Sequence, residues 1–150
     1  DNILMSSIRK CVKNGVIQKS LEKKYCKQFG DMLEIKRSSD DQLCGNLSGG
    51  NQQKVVVARV LNADPDIIIL DEPTRGIDIK TKSDIHRLMS QLACSGKSII
   101  MVSSELPEVL GISDRIMVLN EGRVTGILDR SEADPNIVMR YAVKNESGGN

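Results

Sequence analysis

Leu47-Ser48-Gly49-Gly50-Asn51-Gln52-Gln53-Lys54 and, a helix's length further on, Ile67-Ile68-Ile69-Leu70-Asp71-Glu72 decide how this chain reads. The first segment reads as a glycine-rich turn opening a helix, with Ser48 as its N-cap. That helix extends to about Asn62 on the apolar spacing of Val57, Val60 and Leu61. The second segment reads as a strand apolar on both faces, which fits a central place in a parallel sheet, and it ends in two adjacent carboxylates. A helix N-terminus gathers unpaired N–H groups that attract phosphate oxygens, and the glycines and the Ser48 hydroxyl suit close approach of such a group. Carboxylates at a strand end can hold hydrated magnesium and activate water. Taken singly, each motif also fits a bland alternative, an ordinary cap after a loop or a polar strand end. Their order and spacing, with Pro73-Thr74-Arg75-Gly76-Ile77-Asp78 directly after, point to nucleotide hydrolysis. No Gly-x-x-x-x-Gly-Lys-[Ser/Thr] phosphate loop occurs in the 150 residues.

The bulk numbers narrow the field. A chain of 150 residues can bury one core. Lys and Arg total 21 against 20 Asp and Glu, which argues against a broad basic face for nucleic acid. Three aromatics, Tyr25, Phe29 and Tyr141, leave few platforms for stacking bases. Cys11, Cys26, Cys44 and Cys94 form no C-x-x-C pair and read, like the methionines, as reduced structural residues. No apolar run approaches the roughly 20 residues that span a bilayer, and no signal-peptide pattern opens the chain. The first residue is Asp1 rather than methionine, so the chain is expected to be a piece of something longer, which would account for the missing phosphate loop.

Alternation of short buried strands with helices predicts an α/β domain. Residues 2–30 read as helical with a break at Asn14-Gly15, the second helix carrying the stripe Leu21, Tyr25, Phe29. Residues 31–46 read as irregular, and Asp64-Pro65-Asp66 as a turn. The clearest helix spans 81–93, with Ile85, Leu88, Met89 and Leu92 on one stripe and Ser95-Gly96 ending it. Strands are expected at 98–102, 115–119 and 124–128, the last two as a hairpin around Asn120-Glu121-Gly122. Short helices are expected at 107–110 and 135–143, followed by a disordered tail at 145–150.

On these residues the chain resembles the C-terminal part of an ATP-binding cassette ATPase over about 43–128: residues 47–54 resemble the family signature, 67–72 the Walker B strand and Gly76-Ile77-Asp78 the D-loop. Gly-Gly-Asn-Gln-Gln-Lys, Asp-Glu-Pro-Thr-Arg-Gly-Ile-Asp and the string from Ser103 through Glu105, Leu106, Pro107 and Glu108 to Gly111 are similar to the second cassette of tandem ATPases driving bacterial monosaccharide importers for ribose, xylose or galactose. The resemblance implies a P-loop NTPase (RecA-like) core with a mostly parallel sheet and a helical signature subdomain, truncated so as to lack the Walker A segment. It divides the chain into a helical subdomain (1–46), a core part (47–130) and a C-terminal helix with tail (131–150). It implies ATP and Mg2+ as cofactors. Asp71 would hold magnesium through water, and Glu72 would orient or deprotonate the attacking water. Ser48, Gly49 and Gly50, with Gln53 in the same motif, would meet the nucleotide held by the opposite cassette, and Asp78 would couple the two sites. Implied partners are a first cassette in a pseudo-dimer, a transmembrane permease and, through it, a periplasmic sugar-binding protein, at the cytoplasmic face of the bacterial inner membrane.

Two positions depart from the common pattern. Asn51 stands where many cassettes have Gln, so an amide is kept. Ser104 falls where most carry a switch histidine, and a hydroxyl cannot supply an imidazole's charge, so slow turnover or binding without turnover is one expectation. His86 reads as a surface or packing residue, and Glu105 and Glu108 as solvated capping residues of the short helix. Alternatives to a transport ATPase are a ribosome- or DNA-remodelling cassette, which the near-neutral charge opposes, and a regulatory half that completes its partner's site in trans. The isolated piece is expected to be inactive, and its uncovered core edge prone to self-association.

Overall fold

The computed structural model describes residues 2–143, so the expected tail at 145–150 lies outside the described residues. The chain forms two compact units, Asp1–Ile100 and Met101–Asn150.

The first unit opens differently from the helical expectation over 2–30. Tight helical turns at Asn2–Leu4 and Ile8–Cys11 lead into a hairpin, β1 (Val12–Lys13) and β2 (Val16–Ile17), before helix α1 (Lys19–Met32) begins. The hairpin is antiparallel, with Val12 opposite Ile17 and Lys13 opposite Val16. Asn14 and Gly15 both have positive φ, 51° and 77°, the two-residue turn that this dipeptide favours and that matches strand twist. With β-branched residues on each side, the Asn-Gly pair makes a chain reversal rather than a helix break. Cys26 and Gly30 are the buried positions of α1, while Leu21, Tyr25 and Phe29 are half-buried beside them.

The linking segment is irregular, as expected, but it is tied down by Arg37. Its guanidinium pairs with Asp40 at 2.6 Å and Asp31 at 3.1 Å, and donates to the Ile35 carbonyl at 3.1 Å. Gly30 is small for this reason, since a Cβ there would lie 2.6 Å from the guanidinium carbon. Hydrogen bonds to Asp40 hold the Arg37 pKa above its ordinary value.

Helix α2 (Gly49–Ala63) buries Val55, Val57 and Ala58 and is crossed by the first turn of the chain. Arg59 Nε donates to the Asn2 carbonyl at 2.9 Å there, and Asn62 Nδ2 to that of Ile3 at 3.3 Å. Asp64, in a left-handed conformation, ends the helix. Lys97 then pairs with Asp64 at 2.8 Å and reaches Asp66 at 3.7 Å, fixing the turn before β3 (Ile67–Asp71). Helix α3 (Ile79–Cys94) follows, burying Ile85 and Met89 of its predicted stripe. It returns the chain to β4 (Ser98–Val102), the sheet neighbour of β3 in a small parallel pair.

The expectation that β3 is covered on both faces does not hold among the described residues. Ile68 is 2% exposed, whereas Ile67 and Ile69 are 60% and 67% exposed. The strand has the composition of a doubly covered one, but the described residues cover one side of it.

In the second unit, α4 (Leu106–Ile112) precedes the hairpin of β5 (Arg115–Asn120) and β6 (Arg123–Asp129), and α5 (Pro135–Ala142) closes on it. The hairpin is antiparallel, with a register shift between Val118 and Leu119 and positive φ at Glu121 and Gly122. Ile116, Val118, Leu128 and Val138 form its core. Asp134 caps α5, its carboxylate accepting from the backbone N–H groups of Asn136 and Ile137. Cys11 and Cys26 are buried, burial raises the pKa of both thiols, and all four cysteines are free.

An ion pair joins α2 to α3: Lys54, 8% exposed, donates to Asp84 at 3.0 Å. This bond, foremost, lowers the Asp84 pKa below 3.8. A depressed carboxylate stabilises the fold fully above its unfolded value and loses that contribution as pH falls toward the folded one. Lys54→Met is expected to destabilise the intact protein by about 1–3 kcal/mol near neutral pH. In urea unfolding the deficit should shrink as pH drops below 3.8.

Candidate functional site

Helix α2 starts with its polar groups turned outward. Ser48 has the extended backbone of an N-cap, but its side chain caps no helix N–H. The first N–H groups of a helix have no partner within the helix itself, so an uncapped start leaves donors and the positive end of the dipole facing outward. Ser48 and Gly49 are exposed, whereas Gly50 is buried. Gln52 steadies the turn from behind, its side-chain N–H donating to the Leu47 carbonyl at 2.9 Å. Gln53 lies half-buried one residue on in α2.

The two glycines have different physical reasons. A Cβ on Gly49 would meet nothing within 4 Å, so its lack of a side chain leaves the outer approach open. A Cβ on Gly50 would lie 2.7 Å from Thr81 Oγ1 and 2.9 Å from Thr81 Cγ2. Thr81 in turn occupies both oxygens of Asp78: its backbone N–H donates at 3.0 Å and its hydroxyl at 2.7 Å. Those bonds, the backbone one foremost, hold the Asp78 pKa below its ordinary value. Asp78 is thereby the N-cap of α3, and the turn at 47–50 and the loop at 76–78 meet through Thr81. Sequence reasoning took Thr81 only as a helix start. A threonine three residues after an aspartate N-cap is the signal that could have found this lock.

Asp71 ends β3 with an exposed carboxylate. Glu72 follows, half-buried and at φ 46°, a left-handed conformation rare for a residue with a side chain. Buried Pro73 and Thr74, and a bond from the Arg75 N–H to the Glu72 carbonyl at 3.2 Å, complete a tight turn that over-determines this backbone. Among the described residues no three His, Cys, Asp or Glu side chains cluster to cage a metal. A single strand-end carboxylate fits magnesium, which takes one or two protein carboxylates and completes its shell with water and nucleotide phosphates.

In the second unit, Ser104 is exposed in the bend between β4 and α4. Its neighbour Ser103 donates to Glu108 at 2.5 Å and accepts from the Glu105 N–H at 3.1 Å. Glu108 is 6% exposed, which corrects its reading as a solvated cap: a serine hydroxyl compensates its burial. Glu105 is exposed at the N-cap position of α4, but its side chain makes no cap bond. His86 is half-buried in α3.

Residues 6–75 match the ABC transporter family. A protein of Rhizobium meliloti named for ribose, galactose and methyl galactoside import as an ATP-binding protein is 52% identical over 135 residues, 90% of this chain and 26% of its own length. The ribose import ATP-binding protein RbsA of Streptococcus agalactiae is 48% identical over 142 residues, covering 95% of this chain and 29% of its own. The chain thus spans about a quarter of the length of the curated relatives it matches. Among solved structures, the dimeric ABC transporter cassette MJ0796 superposes with a TM-score of 0.69 at 28% identity over 79% of this chain and 51% of that one. The same cassette is known as a dimer in a post-hydrolysis state bound to ADP and Pi.

The Gly50–Thr81 approach makes a prediction. Gly50→Ala should destabilise the intact protein by about 1–3 kcal/mol through overpacking. Gly49→Ala should change stability by no more than about 1 kcal/mol, in the stabilising direction. Thermal unfolding of both variants, and of Gly50→Ala combined with Thr81→Ala, checks this; the second substitution should recover part of the loss.

Proposed function

Since the chain belongs to the ABC transporter ATPase family, we propose that it supplies the signature, Walker B and D-loop elements of a cassette whose ATP hydrolysis drives monosaccharide import. The observation that carries this reading is the uncapped start of α2, with Ser48 and Gly49 exposed, in the same unit as the Asp71-Glu72 strand end. In this proposal 1–46 is the helical subdomain leading to the signature, 47–130 the core part and 131–150 a C-terminal helix with its tail.

In this mechanism the N–H groups at the start of α2 and the Ser48 hydroxyl bind the γ-phosphate of an ATP held by an opposing cassette. Charge that develops on the phosphate oxygens meets donors already in place, so little reorganisation is needed at the moment of reaction. Gly49 lets the backbone come close, Gln53 belongs to the same helix turn, and Gly50 keeps the turn seated on Thr81. Asp78, fixed by Thr81, faces the cassette boundary and reports the state of one site to the other. On this chain's own side, Asp71 is the group to hold Mg2+, which when bound neutralises phosphate charge. Glu72, aimed by its left-handed backbone, orients the attacking water and takes its proton. Ser104 stands at the switch position in the sequence and has a hydroxyl where most cassettes of the family have an imidazole.

The sugar-import assignment draws on the relatives' names and extends to a first cassette, a membrane permease and a periplasmic sugar-binding protein. The proposed place of the chain is the cytoplasmic face of the membrane, on the permease; among the described residues no helix is long and apolar enough to cross a membrane.

Glu72→Gln in the intact protein tests the reading. ATP turnover at this site should fall by at least about a hundredfold, the scale of general-base loss, while ATP binding persists. Turnover that ignores Glu72→Gln but collapses with Ser48→Ala would instead make this half a trans-acting regulator, the reading that Ser104 favours.

A further inference from the structure

We propose that Asn51 is a positioning residue that presets the Ser48 hydroxyl as a donor toward the bound phosphate. The inference rests on the ATPase reading above and deepens it. Asn51 occupies the first turn of α2, three residues after Ser48. The backbone N–H of Lys36 donates to Asn51 Oδ1 at 2.8 Å, and Asn51 Nδ2 lies 2.8 Å from Ser48 Oγ. Which way the amide faces is forced by chemistry, because a backbone N–H can only donate and must take the carbonyl oxygen. The amide NH2 therefore faces serine and donates to it, leaving Ser48 Oγ the acceptor in that bond.

A hydroxyl has one proton and two lone pairs. Accepting from Asn51 occupies a lone pair and turns the proton away from the amide. Nor does the helix draw on the remaining lone pair, since Ser48 caps no N–H of α2. Ser48 is exposed, so its proton is directed to the open side of the turn, where an anionic oxygen can accept it. In the usual capping arrangement the serine oxygen would satisfy a helix N–H and the third residue would reach back to the backbone. Here the third residue holds the serine side chain instead, and the helix N–H groups and the hydroxyl are all left for one ligand.

The far end of the relay is rigid. Lys36 lies between Ile35, 5% exposed, and Arg37, whose guanidinium is fixed by Asp31, Asp40 and the Ile35 carbonyl. Segment 31–40 is thus the anchor from which Asn51 orients Ser48. Only a side chain with both an acceptor and a donor can join a backbone N–H to a hydroxyl in this sense, which an amide does and a carboxylate does not.

The test is a double-mutant cycle on ATP hydrolysis by the intact protein, with kcat, KM and melting temperature measured for Ser48→Ala, Asn51→Ala and the double variant. Asn51→Ala is expected to lower kcat about five- to tenfold, the worth of one well-placed hydrogen bond, with KM changed less than about twofold. In the Ser48→Ala background the same substitution should change kcat less than about twofold. Multiplying losses, a silent Asn51→Ala, or an activity loss that tracks a fall in melting temperature in both backgrounds would overturn the proposal. A silent Ser48→Ala beside a dead Glu72→Gln would overturn it while leaving the ATPase reading standing. Turnover indifferent to Glu72→Gln with Ser48→Ala also silent would overturn both.

Discussion

An α-helix whose first N–H groups are left without side-chain caps is the constraint around which the first unit is arranged. Helix α2 could have been closed by its own Ser48, as most helices with a serine N-cap are. Instead its start is stabilised from three directions that leave its outer face open. Gln52 holds the Leu47 carbonyl from behind, Asn51 holds the Ser48 side chain from the side, and Thr81 packs against Gly50 from below. Each support spares the donors at the helix end. The stability forgone by not capping is typically about 1 kcal/mol, the cost that the proposed anion site would carry.

These supports reach far along the chain. Through Asn51 the turn depends on Lys36, and through Arg37 that segment depends on Asp31, Asp40 and the smallness of Gly30. Through Thr81 it depends on Asp78 and the start of α3, and Lys54–Asp84 clamps the same two helices one turn further in. The 31–46 segment, which has little regular structure, therefore acts as scaffold rather than linker. Its order comes from charge-assisted hydrogen bonds instead of backbone ladders.

Much of this fold was legible in the sequence because its strongest signals are local. The signature helix, β3, α3, β4, the hairpin of β5 and β6, and α5 each follow from apolar spacing bounded by Gly, Pro or a capping residue, and all of them form within a few residues of expectation. The opening differs because the Asn14-Gly15 pair, which reads as a break between helices, sets the two-residue turn of a hairpin instead. The exposure of Ile67 and Ile69 was invisible for another reason: composition reports what a strand was selected to touch, not what the described residues supply. The burial of Glu108 depends on a serine five residues earlier that no periodicity reveals. At the site, the residue types and their order could be read directly. The contacts among Asn51, Ser48 and Lys36, and between Gly50 and Thr81, are tertiary facts, and only coordinates carry them.

Glu72 sets a trade-off within the fold. Its left-handed backbone costs about 1 kcal/mol for any residue with a Cβ, and the proline after it disfavours helical conformations at that position further. Glycine would adopt the same turn without that cost and would be the choice of a sequence optimised for stability alone. A search for stabilising variants of this protein would therefore be drawn toward replacing Glu72, and would gain thermal tolerance there by discarding the carboxylate. Glu34 and Glu121 share that left-handed backbone, at φ 51° and 48°, so what sets Glu72 apart is its place directly after β3 rather than the strain alone.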